Sequence, residues 1–154
     1  PQNDAEIAEI RRIPYREEAG ELMWVANMTR PDLDYTAHTL ATFGDNAGPE
    51  HWKAAMKALQ VLKRTASLGV TYVGATEDRK LSAWVDADHA SCPDTRRSVS
   101  GGAVMLGGRA ISWVSRAQRI TAKVTSESEY VALAEIVNLP RFLLEVKSFM
   151  APLT

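Results

Sequence analysis

Between Trp84 and Tyr130 the chain sets an acidic doublet, Val85-Asp86-Ala87-Asp88, ahead of a Ser/Thr-rich helix start that carries Glu127 and Glu129. A strand carboxylate facing a helix carboxylate can hold a hard divalent cation and leave positions open for a phosphate. In an extended strand the one-residue gap points Asp86 and Asp88 to one face, where they repel unless a cation lies between them. A solvent-facing strand end with two surface acids has the same pattern. Other metal chemistry fits less well. An EF-hand loop starting at Asp86 needs Gly at its sixth position and Glu at its twelfth, and finds Ser91 and Arg97. Zinc lacks soft ligands, because the single Cys92 has no Cys or His partner at ligand spacing. A phosphatase-like doublet on a doubly wound sheet needs further strands, a Lys and a second acidic pair.

Glu129 has two readings. Ser126-x-x-Glu129 is a capping-box pattern, in which the carboxylate reaches back to the Ser126 amide. Alternatively it aims across the sheet at Asp86. Glu127 reads as a first-turn acid favoured by the helix dipole. Arg96-Arg97, in the loop after the first strand, can cradle phosphates or stand as plain surface. His38 and His51 lie far from the doublet in sequence; His89, beside it, is within reach of a substrate or metal. Trp52 and Trp113 fall on apolar stripes and read as core.

The elements that must position these groups follow from periodicity. Pro1 to Ile10 is polar and acidic, an expected frayed end, and a start at Pro1 rather than Met points to a piece of a longer chain. Ala19, Leu22, Met23 and Ala26 make a helical stripe over Arg16–Met28. Pro31 restarts the chain for a second helix, with Leu33, Ala37, Leu40 and Ala41 inward and an end near Gly44. A third begins at Gly48-Pro49-Glu50 and keeps Trp52, Ala55, Met56, Leu59 and Leu62 on one side as far as Gly69. The texture then turns β-like. Val70-Thr71-Tyr72-Val73 is short and β-branched, and Thr76 to Lys80 reads as a polar turn. Strands are expected at Leu81–Asp86, Ser100–Leu106 and Ala110–Ser115, with Gly107-Gly108 turning the last hairpin. A helix from Ser126 to Leu139 should bury Tyr130, Leu133, Ala134 and Val137. Pro140 should kink or end it, and Phe142, Val146, Phe149 and Met150 continue a stripe beyond.

Composition sets the frame. At 154 residues, 45% hydrophobic and 24% charged, the chain can bury an ordinary core and fits neither a disordered nor a fibrous class. No apolar run approaches the roughly 18 residues of a membrane helix, and no signal peptide opens the chain. A net charge of −1 excludes a wholesale basic protein. Charge is uneven, however: Arg96, Arg97, Arg109, Arg116, Arg119 and Lys123 outnumber Asp86, Asp88 and Asp94 between residues 81 and 126. A cationic collar around a carboxylate pair suits a polyanion.

Taken in order, the blocks Tyr15-Arg16-Glu17, Gly20-x-Leu22-Met23, Met28-Thr29-Arg30-Pro31-Asp32, Pro49-Glu50-His51-Trp52-Lys53-Ala54 and Leu62-Lys63-Arg64-Thr65 resemble the end of a copia-type retrotransposon Pol polyprotein, where reverse transcriptase runs into ribonuclease H. Asp86-Ala87-Asp88, Pro93-Asp94-Thr95-Arg96-Arg97-Ser98, Leu106-Gly107-Gly108, Ala110-Ile111-Ser112-Trp113 and Ser126-Glu127-Ser128-Glu129-Tyr130 continue it, so the resemblance covers residues 14 to 147. It implies an α+β chain: a helical thumb or connection region at 14–75, then a partial ribonuclease H-like domain at 76–154, with three antiparallel strands and a helix and the last strands missing. It further implies Mg2+ held by Asp86 and Glu129, with Asp88 beside them, and two-metal cleavage of the RNA strand of an RNA/DNA hybrid. The rest of the polyprotein would be a partner. The setting would be intracellular, cytoplasmic in a virus-like particle or nuclear, not secreted and not at a membrane. The family's third catalytic Asp has no counterpart before Thr154, so this chain alone is expected to be inactive, as a transposon remnant or a nucleic-acid-binding module. His89 replaces a usual Trp, and Pro140 interrupts a helix that relatives keep continuous.

Overall fold

The computed structural model describes Ile10 and residues 12–72, 80–92 and 95–150, with side chains in the last helix followed to residue 138. The expected frayed end at residues 1–9, most of the turn at 76–80, Val73, Asp94 and the side chains of Pro140, Phe142, Val146, Phe149 and Met150 lie outside the described set. The chain divides into two units, Pro1–Val70 and Thr71–Thr154.

The first unit is helical: α1 at Tyr15–Met28, a 3-10 turn at Pro31–Leu33, α2 at Asp34–Thr42 and α3 at Pro49–Arg64. On α1 the side chains of Tyr15, Ala19, Leu22 and Ala26 recur on one face and are all buried. They meet Leu33, Ala37 and Leu40 from the turn and α2, and Ala55 and Ala58 from α3. Small residues let the helices approach while Leu22 and Leu40 fill the centre. The Tyr15 hydroxyl donates to the Leu40 carbonyl (2.7 Å), tying α1 to α2.

Two devices set the ends of α3. Pro49 opens it, where a missing N–H costs nothing, and the Gly48 amide donates to His51 Nδ1 (2.9 Å). The helix stops at Arg64, short of the expected Gly69. Thr65 folds back, its hydroxyl donating to the Val61 carbonyl (2.7 Å), and Arg30 then donates to the Thr65 carbonyl (3.1 Å) and hydroxyl (2.8 Å). The same guanidinium grips both oxygens of Asp32 at 2.9 and 2.8 Å. A buried arginine thus caps one helix and orders the turn that starts another.

The second unit is a three-stranded antiparallel sheet, β1 at Leu81–Asp88, β2 at Val99–Leu106 and β3 at Arg109–Ala117, in the order β1-β2-β3, followed by α4 at Thr125–Met150. With the helical first unit, this is the α+β arrangement expected from the sequence. Gly107 and Gly108 take φ of 56° and 73°, the left-handed values that a two-residue hairpin requires. Tyr72 and Thr71 form no strand; instead the Tyr72 hydroxyl donates to the Ala110 carbonyl (2.6 Å) and Arg109 to the Thr71 carbonyl (3.2 Å).

Register fixes the faces. Gly102 pairs with Val85 and Val114, and a Cβ placed on it would overlap Ile136 of α4, with Cγ1 at 2.7 Å. The face shared by Val85, Ala87, Ser100, Gly102, Val104 and Val114 is therefore the one α4 covers, since paired residues lie on the same side.

The covered helix stripe differs from the expected one. Ser128, Ala132 and Ile136 are buried, whereas Tyr130, Leu133 and Val137 are exposed, Tyr130 by 77%; Ala134 is exposed as well. Small groups at 128 and 132 allow the helix axis close to the sheet, and the space above Gly102 admits Ile136. A tyrosine on that line would hold the helix off. Nor does Pro140 end the helix, which runs on to Met150.

Candidate functional site

Asp86 and Asp88 stand at the end of β1, both exposed, with the buried Ala87 between them. The two aspartates share a face, as the one-residue gap predicts. It is the face turned away from α4. Neither aspartate side chain makes a hydrogen bond or ion pair with another described residue.

Glu129 lies on the other side. It is half-buried and flanks the line Ser128, Ala132 and Ile136. Glu135 flanks the same line from the opposite side and pairs with Arg116 of β3 at 3.3 Å, so Glu129 is left toward the β1 side. The expected capping role does not fall to Glu129. The helix begins one residue earlier than Ser126, and Glu127 takes the cap, its carboxylate accepting from the Lys123 amide (2.7 Å). The Ser128 hydroxyl donates to the Thr125 carbonyl (2.7 Å). Glu129 is thereby free of the helix terminus.

A divalent cation of the kind the resemblance implies needs several oxygens on one side of one point. The sheet places Asp86 and Asp88 on the open face and Glu129 beside the covered one. Among the described residues no group of three His, Cys, Asp or Glu side chains is arranged to hold a metal. The residues described do not by themselves fit a two-metal centre.

Arg96 and Arg97 are exposed in the loop from β1 to β2. The loop is internally braced. The Arg96 amide donates to the Cys92 carbonyl (2.8 Å), the Cys92 amide to the Arg97 carbonyl (3.2 Å), and the Ala90 amide to Ser98 Oγ (3.1 Å). Ala90 and Arg96 take φ of 51° and 54°, a left-handed conformation that non-glycine residues rarely adopt. The bracing presents two adjacent guanidinium groups to solvent, an arrangement suited to phosphate contacts. His89 is half-buried, and its Nδ1 has no hydrogen-bond partner among the described residues.

Sequence reasoning passed over the polar core beneath these loops. Gln118, fully buried, donates from Nε2 to Ser100 Oγ (3.0 Å) and to the Ser128 carbonyl (2.8 Å), so one amide fastens β3, β2 and α4 together. Only alternation at positions 98, 100 and 118 hinted at it, and alternation does not distinguish a buried serine from a solvated one. Trp113 and Trp52, read as core, are each half-buried.

Comparison with known proteins gives relatives across nearly the whole chain. A retrovirus-related Pol polyprotein from transposon TNT 1-94 of Nicotiana tabacum is 34% identical over 150 residues, 95% of this chain and 11% of that protein. A second, from transposon RE2 of Arabidopsis thaliana, is 33% identical over 120 residues, 78% of this chain and 8% of that protein. The secreted RxLR effector protein 161 of Plasmopara viticola is 36% identical over 126 residues, 82% of this chain and 88% of that protein. The chain thus spans about a tenth of the Pol polyproteins and most of the effector. No family model matches, and no solved structure does.

Proposed function

From the premise that the chain is a fragment similar to retrovirus-related transposon Pol polyproteins, we propose that it is the segment where a reverse-transcriptase thumb or connection-like region, residues 14–75, meets a copia-type ribonuclease H-like domain, residues 76–154. In the intact polyprotein that segment engages an RNA/DNA hybrid. The observation that carries this reading is the strand-strand-strand-helix order with Asp86 at the end of β1 and Glu129 near the start of α4, relieved of capping by Glu127. Mg2+, with Asp86 and Glu129 as ligands and Asp88 beside them, belongs to the same proposal only for the intact polyprotein, because the described residues do not by themselves fit the ion.

The chain's own contribution is binding. Arg96 and Arg97, held outward by the braced loop, take phosphates of the hybrid, and the local excess of Arg and Lys draws the polyanion in. The opposite placement of Asp86 and Glu129 favours a second reading for the chain by itself: a nucleic-acid-binding module or transposon remnant without turnover. No helix among the described residues is long and apolar enough to cross a membrane.

The test is a fluorescence titration of a labelled RNA/DNA hybrid at several salt concentrations, with strand cleavage followed in Mg2+. Binding should weaken with salt, and R96A/R97A should reduce the log–log salt slope by about 1 to 2. Cleavage abolished by E129Q and D86N would establish the nuclease. Binding without cleavage would favour the second reading. A hybrid that does not bind at low salt, or binds R96A/R97A with an unchanged slope, would remove both.

A further inference from the structure

Arg116 and Glu135 meet at a cavity of about 190 Å3 between β3 and α4. Gly102 and Val104 of β2 form its floor, Ser112, Val114 and Arg116 of β3 one wall, and Glu135 and Ile136 of α4 the other. It follows from the register. Gly102 carries no side chain, so Ile136 settles over it, while Ser112 and Val114 alongside stay only half-buried. The polar end is uneven. Arg116 Nη2 lies 3.3 Å from one oxygen of Glu135, Oε1, and half of the arginine side chain faces solvent. The other oxygen, Oε2, is buried with no hydrogen-bond partner among the described residues. A buried carboxylate oxygen without a donor is costly. The last torsion of a glutamate is soft, so a small turn brings that oxygen to the cavity.

We propose that this cavity binds a single flat ring bearing a cyclic amide edge, a ring N–H next to a ring carbonyl. Size, walls and polar end select that ligand. An apolar cavity of about 150 Å3 takes one benzene, so one six-membered ring with its substituents fills this space. Val104, Val114 and Ile136 give the ring apolar contact. At the polar end Glu135 Oε2 accepts the ring N–H, and Arg116, permanently charged and rich in donors, gives a hydrogen bond to the neighbouring carbonyl. A cation matches less well, because Arg116 already neutralises the carboxylate and repels a second positive charge. Such an edge occurs on small lactams and on uracil and thymine, as free bases or unpaired in a strand. The cavity contains none of Asp86, Asp88, Arg96, Arg97 or Glu129, so it stands apart from the nuclease reading.

The experiment is NMR titration of the whole chain with 2-pyridone, N-methyl-2-pyridone and benzene. 2-Pyridone should shift the Gly102, Val104, Val114 and Ile136 amides. N-methylation removes the donor and keeps the carbonyl, and should weaken binding about tenfold, as should Glu135→Met, which keeps the length of the side chain and removes the acceptor. Val114→Phe fills the cavity and should abolish the shifts. Because the methylation comparison uses the parent chain, it decides the matter even if a variant fails to fold. A competition with pentathymidylate separates the sources: displacement of 2-pyridone assigns the ring to a nucleic-acid strand, and its absence to a free molecule, each a ligand of the proposed class. No shift at these amides, or equal binding of the methylated and parent rings, overturns the proposal. So does benzene binding more tightly than 2-pyridone, since the polar end would then contribute nothing.

Discussion

The helical unit buries Leu22, Leu33 and Leu40 among alanines, while the sheet unit buries Ser98, Ser100, Gln118 and Ser128 around Val104 and Ile136. One interior is mainly apolar, with the Tyr15 hydroxyl on the Leu40 carbonyl and the Arg30 contacts to Asp32 and Thr65 set toward the ends of the helices. The other has its polar fastening in the middle, where Gln118 joins three elements. In apolar packing, loss is proportional to the volume removed. In a buried polar network, removing one member strands the others. The two units should therefore fail differently.

The largest effect should come from Leu22→Ala, which empties a site only 1% exposed. A loss of about 3 kcal/mol is expected, read as a drop in the urea midpoint of the helical unit with the sheet unit's amide exchange unchanged. If both units weaken alike, the contrast collapses. Gln118→Ala should cost about 2 kcal/mol by leaving Ser100 Oγ and the Ser128 carbonyl without their donor. Hydrogen exchange should quicken at β3 and at the start of α4 together. Quickening at β3 alone would show that the amide does not couple them.

Arg30→Lys is expected to cost less, because the charge stays while the fork that holds both Asp32 oxygens is lost. The hydrogen bond from Arg30 holds the Asp32 carboxyl below its ordinary value. A carboxyl whose folded pKa is depressed stabilises the fold fully above its unfolded pKa, and that contribution disappears as pH falls through the folded value. Acid titration of stability below the normal aspartate range should thus be shallower in Arg30→Lys than in the parent chain. An identical acid limb would mean that Asp32 is not linked to folding. The smallest effect belongs to Tyr130→Ser, at an exposed position of α4, where the midpoint should move by less than about 0.5 kcal/mol. A large drop there would mean that Tyr130 is covered, as its sequence position suggested.

That last case shows where sequence reading stops. The stripes of α1 and α2 were legible because alanine and leucine recur there with the helical period over the length of each helix. On α4 two stripes compete, Tyr130-Leu133-Val137 and Ser128-Ala132-Ile136, and the larger residues mislead. Choosing between them requires knowing that Gly102 lies beneath, a fact of strand register. The pairing of Asp86 with Asp88 on one side followed from alternation alone. Which side the helix would cover did not, since alternation is symmetric about the sheet. The capping reading of Glu129 gives way to Glu127 because the helix starts one residue earlier than its serine signal.

The Gly107–Gly108 turn governs more than the two residues it contains. Because β2 and β3 are joined by so short a link, one codon gained or lost there that is not taken up by a bulge, like the register shift already present at Val104–Met105, would exchange inside for outside along β3, sending Trp113 and Ser115 under α4 and Val114 into water. Genomic copies of a mobile element drift by such small insertions and deletions. The length of this link is accordingly a direct way to tell, copy by copy, which of them can still fold this sheet.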